Sequence, residues 1–121
     1  MNPAHMILFY VNDPLASAAF YARILGTAAL ESSPGFAMFK LNEGTMLGLW
    51  NRSGVKPEPI ANAGASELGF HVANDGEVEK LHQQWQAMNV SFAQQSSRLD
   101  FGYTFTALDP DGHRLRVFAA A

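Results

Sequence analysis

The sequence predicts an α+β fold built twice over, as two βαβββ modules within one chain of 121 residues. Three observations predict it. An apolar strand runs into a capped helix near the start, and the same pair recurs past the middle. In each half, short apolar and aromatic segments separated by turn residues then follow. The halves also align feature by feature, Val11…Asp13 with Val72…Asp75 and Glu43-Gly44 with Asp111-Gly112.

Taken in order, Met6 to Val11 is apolar and aromatic and reads as a strand. Asn12-Asp13-Pro14 starts a helix, with Asp13 as N-cap and Pro14 at the first helical position. Ser17, Phe20, Tyr21, Ile24 and Leu25 keep helical spacing, and Gly26 is the C-terminal stop. Strands follow near Ala28–Ser32, Phe36–Leu41 and Thr45–Asn51, separated by Ser33-Pro34-Gly35 and Asn42-Glu43-Gly44. Arg52 to Ser66 is a connector with no sustained period, open to a disordered or an ordered crossover reading. The pattern then restarts. Leu68 to Val72 is a strand, and Asn74-Asp75 opens a helix that carries Val78, Leu81, Trp85 and Met88 on one face. Val90 to Gln94, Tyr103 to Leu108 and Arg114 to Phe118 complete the second set. The single domain 1–121 is thus divided as module one 1–51, connector 52–66 and module two 67–121.

Composition narrows the function classes. Nearly half the residues are hydrophobic, enough to bury a core at this length. The formal net charge is −3 and no basic run exists, so nucleic acid is not an expected partner. No apolar stretch approaches the roughly 20 residues of a membrane helix. The start of the chain lacks a signal-peptide plan, which places the expectation in the cytoplasm. Cysteine is absent, which removes disulfides, thiolate metal sites and thiol nucleophiles together.

The most informative stretch is the final hairpin, Thr104 to Phe118. Its turn, Asp109-Pro110-Asp111-Gly112, combines Pro, Asp and Gly in the places a tight turn uses them. Beyond it, His113, Leu115 and Val117 face one way and Arg114, Arg116 and Phe118 the other. Leu115 and Val117 suit a core, so the opposite side lines solvent or a cavity, with two guanidiniums and an aromatic ring. Four residues past the turn glycine stands Gly48 in the first half and Arg116 in the second; six past it stand Trp50 and Phe118. Two modules of this kind give a cleft between pseudo-symmetric sheets as the expected pocket.

These residues carry a resemblance. Val11-Asn12-Asp13, Ser17, Phe20-Tyr21, Leu25-Gly26, Leu68–Asp75 and Asp109-Pro110-Asp111-Gly112 resemble the vicinal oxygen chelate superfamily of glyoxalase I, extradiol dioxygenases and fosfomycin and bleomycin resistance proteins. Met46-Leu47-Gly48-Leu49-Trp50, Phe101-Gly102-Tyr103-Thr104 and Asp109–His113 are most similar to its phenazine-type drug-resistance proteins. The resemblance implies a glyoxalase/bleomycin-resistance-type half-barrel pair and a homodimer. In the enzymes of that superfamily four cavity-facing His or Glu side chains hold a divalent metal. Carried onto this sequence, the four positions are Met6, Gly48, Glu67 and Arg116. Only Glu67 is a competent ligand; Met suits hard cations poorly, Gly has no side chain, and a guanidinium repels the ion. His5 lies one residue from Met6, and alternation sends it to the opposite face. No metal and no cofactor are therefore expected. Glu67 and Arg116, from equivalent inward positions, are placed to pair, either as a ligand anchor or as an ion pair where the metal would stand.

The remaining cavity residues follow from alternation. Trp50 shares a face with Met46 and Gly48 and offers its ring to a planar aromatic, with Gly48 expected to leave room beside it. His71 shares a side with Glu67 and Gly69 as a polar lining residue. Phe36, Met38, Phe101 and Tyr103 are expected to form an adaptable apolar wall. Trp85 reads as core, His82 as solvent-facing, and Ser96-Ser97-Arg98 as a polar loop. The expected function is metal-free sequestration of a small planar aromatic antibiotic or metabolite, phenazine-like or bleomycin-like, without catalytic residues. A metal-dependent lyase or dioxygenase, and a structural or regulatory dimer with a vestigial cavity, are the alternatives.

Overall fold

The computed structural model describes residues 1–121, which divide into two compact units, Met1–Asn62 and Ala63–Ala121. The first unit runs β1 (Met6–Val11), α1 (Pro14–Leu25), β2 (Glu31–Ser32), β3 (Phe36–Asn42) and β4 (Thr45–Asn51), closing with a single 3-10 turn at Arg52–Gly54. The second runs β5 (Glu67–His71), α2 (Asp75–Ala87), β6 (Ser91–Leu99), β7 (Gly102–Leu108) and β8 (Arg114–Ala120). The sheets have the same topology. Their strand orders are β1-β4-β3-β2 and β5-β8-β7-β6, with one parallel pair between the first and last strand of each unit.

Local chemistry accounts for the helices. Asp13 accepts the backbone N–H groups of Leu15 and Ala16, Pro14 opens α1, and Gly26 ends it at φ +70°. Asn74 caps α2 by accepting the N–H of Glu77 at 2.9 Å, and Asp75 and Glu77 lie in its first turn, where the helix dipole favours negative charge. Each helix covers one face of its own sheet. Tyr21 meets Phe39 over Leu47 and Leu49, all four fully buried. In the second unit Trp85 packs edge-on against Phe70 and Phe105.

Three expectations change here. The face of α2 that meets its sheet centres on Val78, His82 and Trp85, while Leu81 and Met88 sit at its margins, so His82 is buried and not solvent-facing. Its ring lies between Phe92 and Phe105, and its two nitrogens meet Gln95 (2.6 Å) and Ser96 (2.9 Å). A polar ring is tolerated there because both nitrogens are satisfied. Ser96, Ser97 and Arg98 lie within β6, which extends to Leu99 with register shifts between Phe92 and Ser97; these irregularities let a polar run stay in the ladder. The strand expected at Ala28–Ser32 shrinks to the two-residue edge β2.

Candidate functional site

Each unit leaves one sheet face uncovered by its helix, and most of the candidate residues lie on these faces. In the first unit, register sets Met6 beside Met46, Leu8 beside Gly48 and Tyr10 beside Trp50, and sets Phe36 and Met38 against Trp50 and Gly48 from the other side. Alternation puts all of them on the face away from α1, because Phe9, Val11, Ala37, Phe39, Leu47 and Leu49 are buried on the other. This face is apolar and partly exposed, with Met6 at 38 %, Leu8 at 44 % and Tyr10 at 37 %. Trp50 meets Tyr10 edge-on at 6.2 Å. Gly48 does not leave room for a flat molecule. A Cβ there would lie 2.7 Å from Leu8 Cδ2 and 2.9 Å from Phe36 Cζ, so these side chains already fill the space above the glycine.

In the second unit the corresponding face is polar. Register pairs Glu67 with Arg114, Gly69 with Arg116 and His71 with Phe118, and sets Thr104 and Thr106 against Phe118 and Arg116. Arg116 donates from Nε to Glu67 Oε1 at 2.7 Å and from Nη2 to Oε2 at 2.8 Å, a side-on fork. Its Nη1 donates to Thr104 Oγ1 at 3.2 Å. The guanidinium lies 5.6 Å from the centroid of Phe101, which meets Phe118 edge-on, and Phe118 contacts His71 at 5.2 Å. Thr106 Oγ1 is buried and has no hydrogen-bond partner. The fork holds the Glu67 carboxyl below the usual glutamate range, against an opposing push from burial, and raises Arg116 correspondingly.

Of the residues expected here, Glu67, His71, Phe101, Arg116 and Phe118 come together on this face. Tyr103 does not. Thr104, not Tyr103, stands opposite Phe118, so Tyr103 points to the helix side. There its hydroxyl donates to Glu79 at 2.7 Å, which raises the Tyr103 pKa, and Arg98 lies over its ring. Glu79 is lowered in turn, by hydrogen bonds from Ser96 first and Tyr103 second. Sequence reasoning missed Thr104 and Thr106. Counting back across the hairpin from Phe118 finds them once the register is known.

The four chelate positions do not fit a divalent metal. Gly48 brings no donor and is roofed by Leu8 and Phe36, Arg116 is a cation, and both oxygens of Glu67 are engaged by it. The His5 carbonyl accepts the Met46 N–H at 2.8 Å, just ahead of β1. A depression of about 340 Å³ in the first unit lies elsewhere, between Asn12, Asn51, Arg52, Ser53, Glu58 and Pro59. Its lining is mainly polar, and Arg52 there donates to the Ala61 carbonyl at 2.8 Å.

Comparison with known proteins agrees with this framework. A protein from Agrobacterium tumefaciens solved by solution NMR superposes with a TM-score of 0.90 at 45% identity, over 100% of this chain and 99% of that one. A glyoxalase-related enzyme from Fulvimarina pelagi shares the fold, with a TM-score of 0.85 at 22% identity over 98% and 88% of the two chains. The phenazine antibiotic resistance protein EhpR of Enterobacter agglomerans is 27% identical over 114 residues, 91% of this chain and 86% of its own. The model of the Glyoxalase/Bleomycin resistance protein/Dioxygenase superfamily matches residues 4–117. With its paired βαβββ units, the chain belongs to that superfamily.

Proposed function

We propose that this protein binds and sequesters a small planar aromatic antibiotic or metabolite, without a metal and without chemistry, as a cytoplasmic homodimer. The observation that carries this reading is the Arg116–Glu67 fork, a charge-neutral ion pair at two of the positions where, by the resemblance, metal-dependent relatives need electron-pair donors. The apolar face of the first unit supports it. Trp50, Phe36 and Met38 present aromatic and thioether surface suited to a flat ring. Likeness to a phenazine resistance protein supports the ligand class. In this reading the open face of the first unit offers Trp50 for stacking, and that of the second offers Arg116, held by Glu67, to a polar substituent.

The test is a fluorescence titration with phenazine-1-carboxylate and a panel of other planar aromatics. The chain has two tryptophans, and Trp85 is 3% exposed within the core, so it reports on folding while Trp50 reports on the ligand. Quenching is expected in the wild type and lost in Trp50→Ala; quenching kept in that variant removes the stacking role. No shift in melting temperature across the panel favours a structural dimer, since a bound ligand stabilises the native state. Near-stoichiometric metal in untagged protein, lost in Glu67→Ala, favours a lyase or dioxygenase instead.

A further inference from the structure

We propose that the open face of the second unit selects ligands whose polar substituent is an anion, and that Arg114 sets this preference. The inference rests on the binding function proposed above and adds the charge class of its ligand. It follows from a charge count on one strand pair. The parallel ladder of β5 and β8 places Glu67 beside Arg114 and Gly69 beside Arg116, so one carboxylate shares a face with two guanidiniums. That carboxylate is committed. Both of its oxygens receive Arg116, and Arg114 acts on it only through space. None of the chain's ion pairs includes Arg114, which is exposed. With the fork neutral as a unit, Arg114 leaves this face with a net positive charge before His71 is counted.

Arg116 also keeps donors to spare. A guanidinium carries five N–H groups. Glu67 takes the one on Nε and one on Nη2, and Thr104 takes one on Nη1, which leaves one on each terminal nitrogen. Two remaining donors next to a second cation match an oxyanion, above all the planar carboxylate of an aromatic acid. A neutral carbonyl would satisfy the donors but gain little from Arg114, and a cationic ligand would be repelled. Phe101 and Phe118 beside the guanidinium suit the ring that carries the acid. The first unit lacks this pair of guanidiniums, since Met46 and Gly48 stand at the positions that correspond to Arg114 and Arg116, and Lys40 beside Met46 is paired with Glu43.

The experiment compares phenazine-1-carboxylate with phenazine-1-carboxamide, which differ in charge and hardly in shape, by titration of the full chain near neutral pH. At low ionic strength the carboxylate is expected to bind roughly three- to tenfold more tightly, as for one partly exposed charge, and added salt shrinks the ratio toward one. Arg114→Gln brings the ratio close to one, and Arg114→Lys keeps most of it. Equal affinities in the wild type overturn the inference and leave the binding function standing. A ratio undiminished in Arg114→Gln removes Arg114 from the account. If neither compound binds, both proposals fall together.

Discussion

The open faces of the two units use one register for opposite chemistry. Met6, Leu8 and Tyr10 correspond to Glu67, Gly69 and His71; Met46, Gly48 and Trp50 correspond to Arg114, Arg116 and Phe118; Phe36 and Met38 correspond to Thr104 and Thr106. The framework is held by the helix-side residues, which are mostly apolar in both units, so the other face is free to diverge. Even the small–large pairing is reversed. In the first unit the β1 side chain, Leu8, covers a glycine on β4; in the second the glycine, Gly69, lies on β5 and the long side chain, Arg116, on β8. The first arrangement fills the space above its glycine, whereas Gly69 stays exposed with Phe118 alone beside it, and only the second brings charge to the face.

Substitutions can break or sharpen this contrast. The largest effect is expected where the chain enters β3 and β7, at Gly35 and Gly102. Gly102 adopts φ +147°, and a Cβ there would stand 1.9 Å from the Ala119 carbonyl oxygen, whereas nothing lies within 4 Å of a Cβ at Gly35. Gly102→Ala should therefore cost about 3 kcal/mol or more, since β8 must shift, and Gly35→Ala about 0.5 kcal/mol or less; thermal melts compare them. Next comes the fork. Glu67→Gln removes a charge from a pair whose side chains are 18% and 35% exposed, so solvent screening limits its expected cost at neutral pH to about 1 kcal/mol. The pH dependence is more telling. A depressed folded pKa means that the Glu67 contribution is complete above its ordinary value of 4.5 and is lost as pH falls through the lower folded value. Denaturant melts should show that acid loss in the wild type and less of it in Glu67→Gln; identical acid limbs would mean that the fork contributes nothing. The smallest pair compares the two face glycines. Gly48→Ala meets the flexible ends of Leu8 and Phe36 and should cost about 1 kcal/mol. Gly69→Ala makes only an ordinary 3.5 Å contact with Phe118 and should change stability by about 0.5 kcal/mol or less.

Much of this was legible before any coordinates. Asp13, Pro14 and Gly26 delimit α1 because capping is local chemistry, and β1 and β4 run over the residues their apolar stretches mark. The fork was legible too, through the resemblance, which carries two of the superfamily's inward positions onto Glu67 and Arg116. What escaped was set by partners distant in sequence. Tyr103 or Thr104 facing inward depends on which residue meets Phe118 across the hairpin, and a slip of one reverses every side chain. His82 resembles an exposed helix polar residue until Gln95 and Ser96 of β6 satisfy its ring, and Ser96-Ser97-Arg98 reads as a loop because a strand is hard to recognise in a polar run. The space above Gly48 belonged to Leu8 and Phe36, which no count along one strand reveals.

In both units the strand made last is an inner one, hydrogen-bonded to the strand made first. On a growing chain β1 has no ladder partner until β4 emerges, and β5 none until β8 does, so each sheet gains its parallel pairing in a single late step. Arg116 and Glu67 sit on that closing seam. The two partners of the fork are thus brought together only when the second unit completes its assembly.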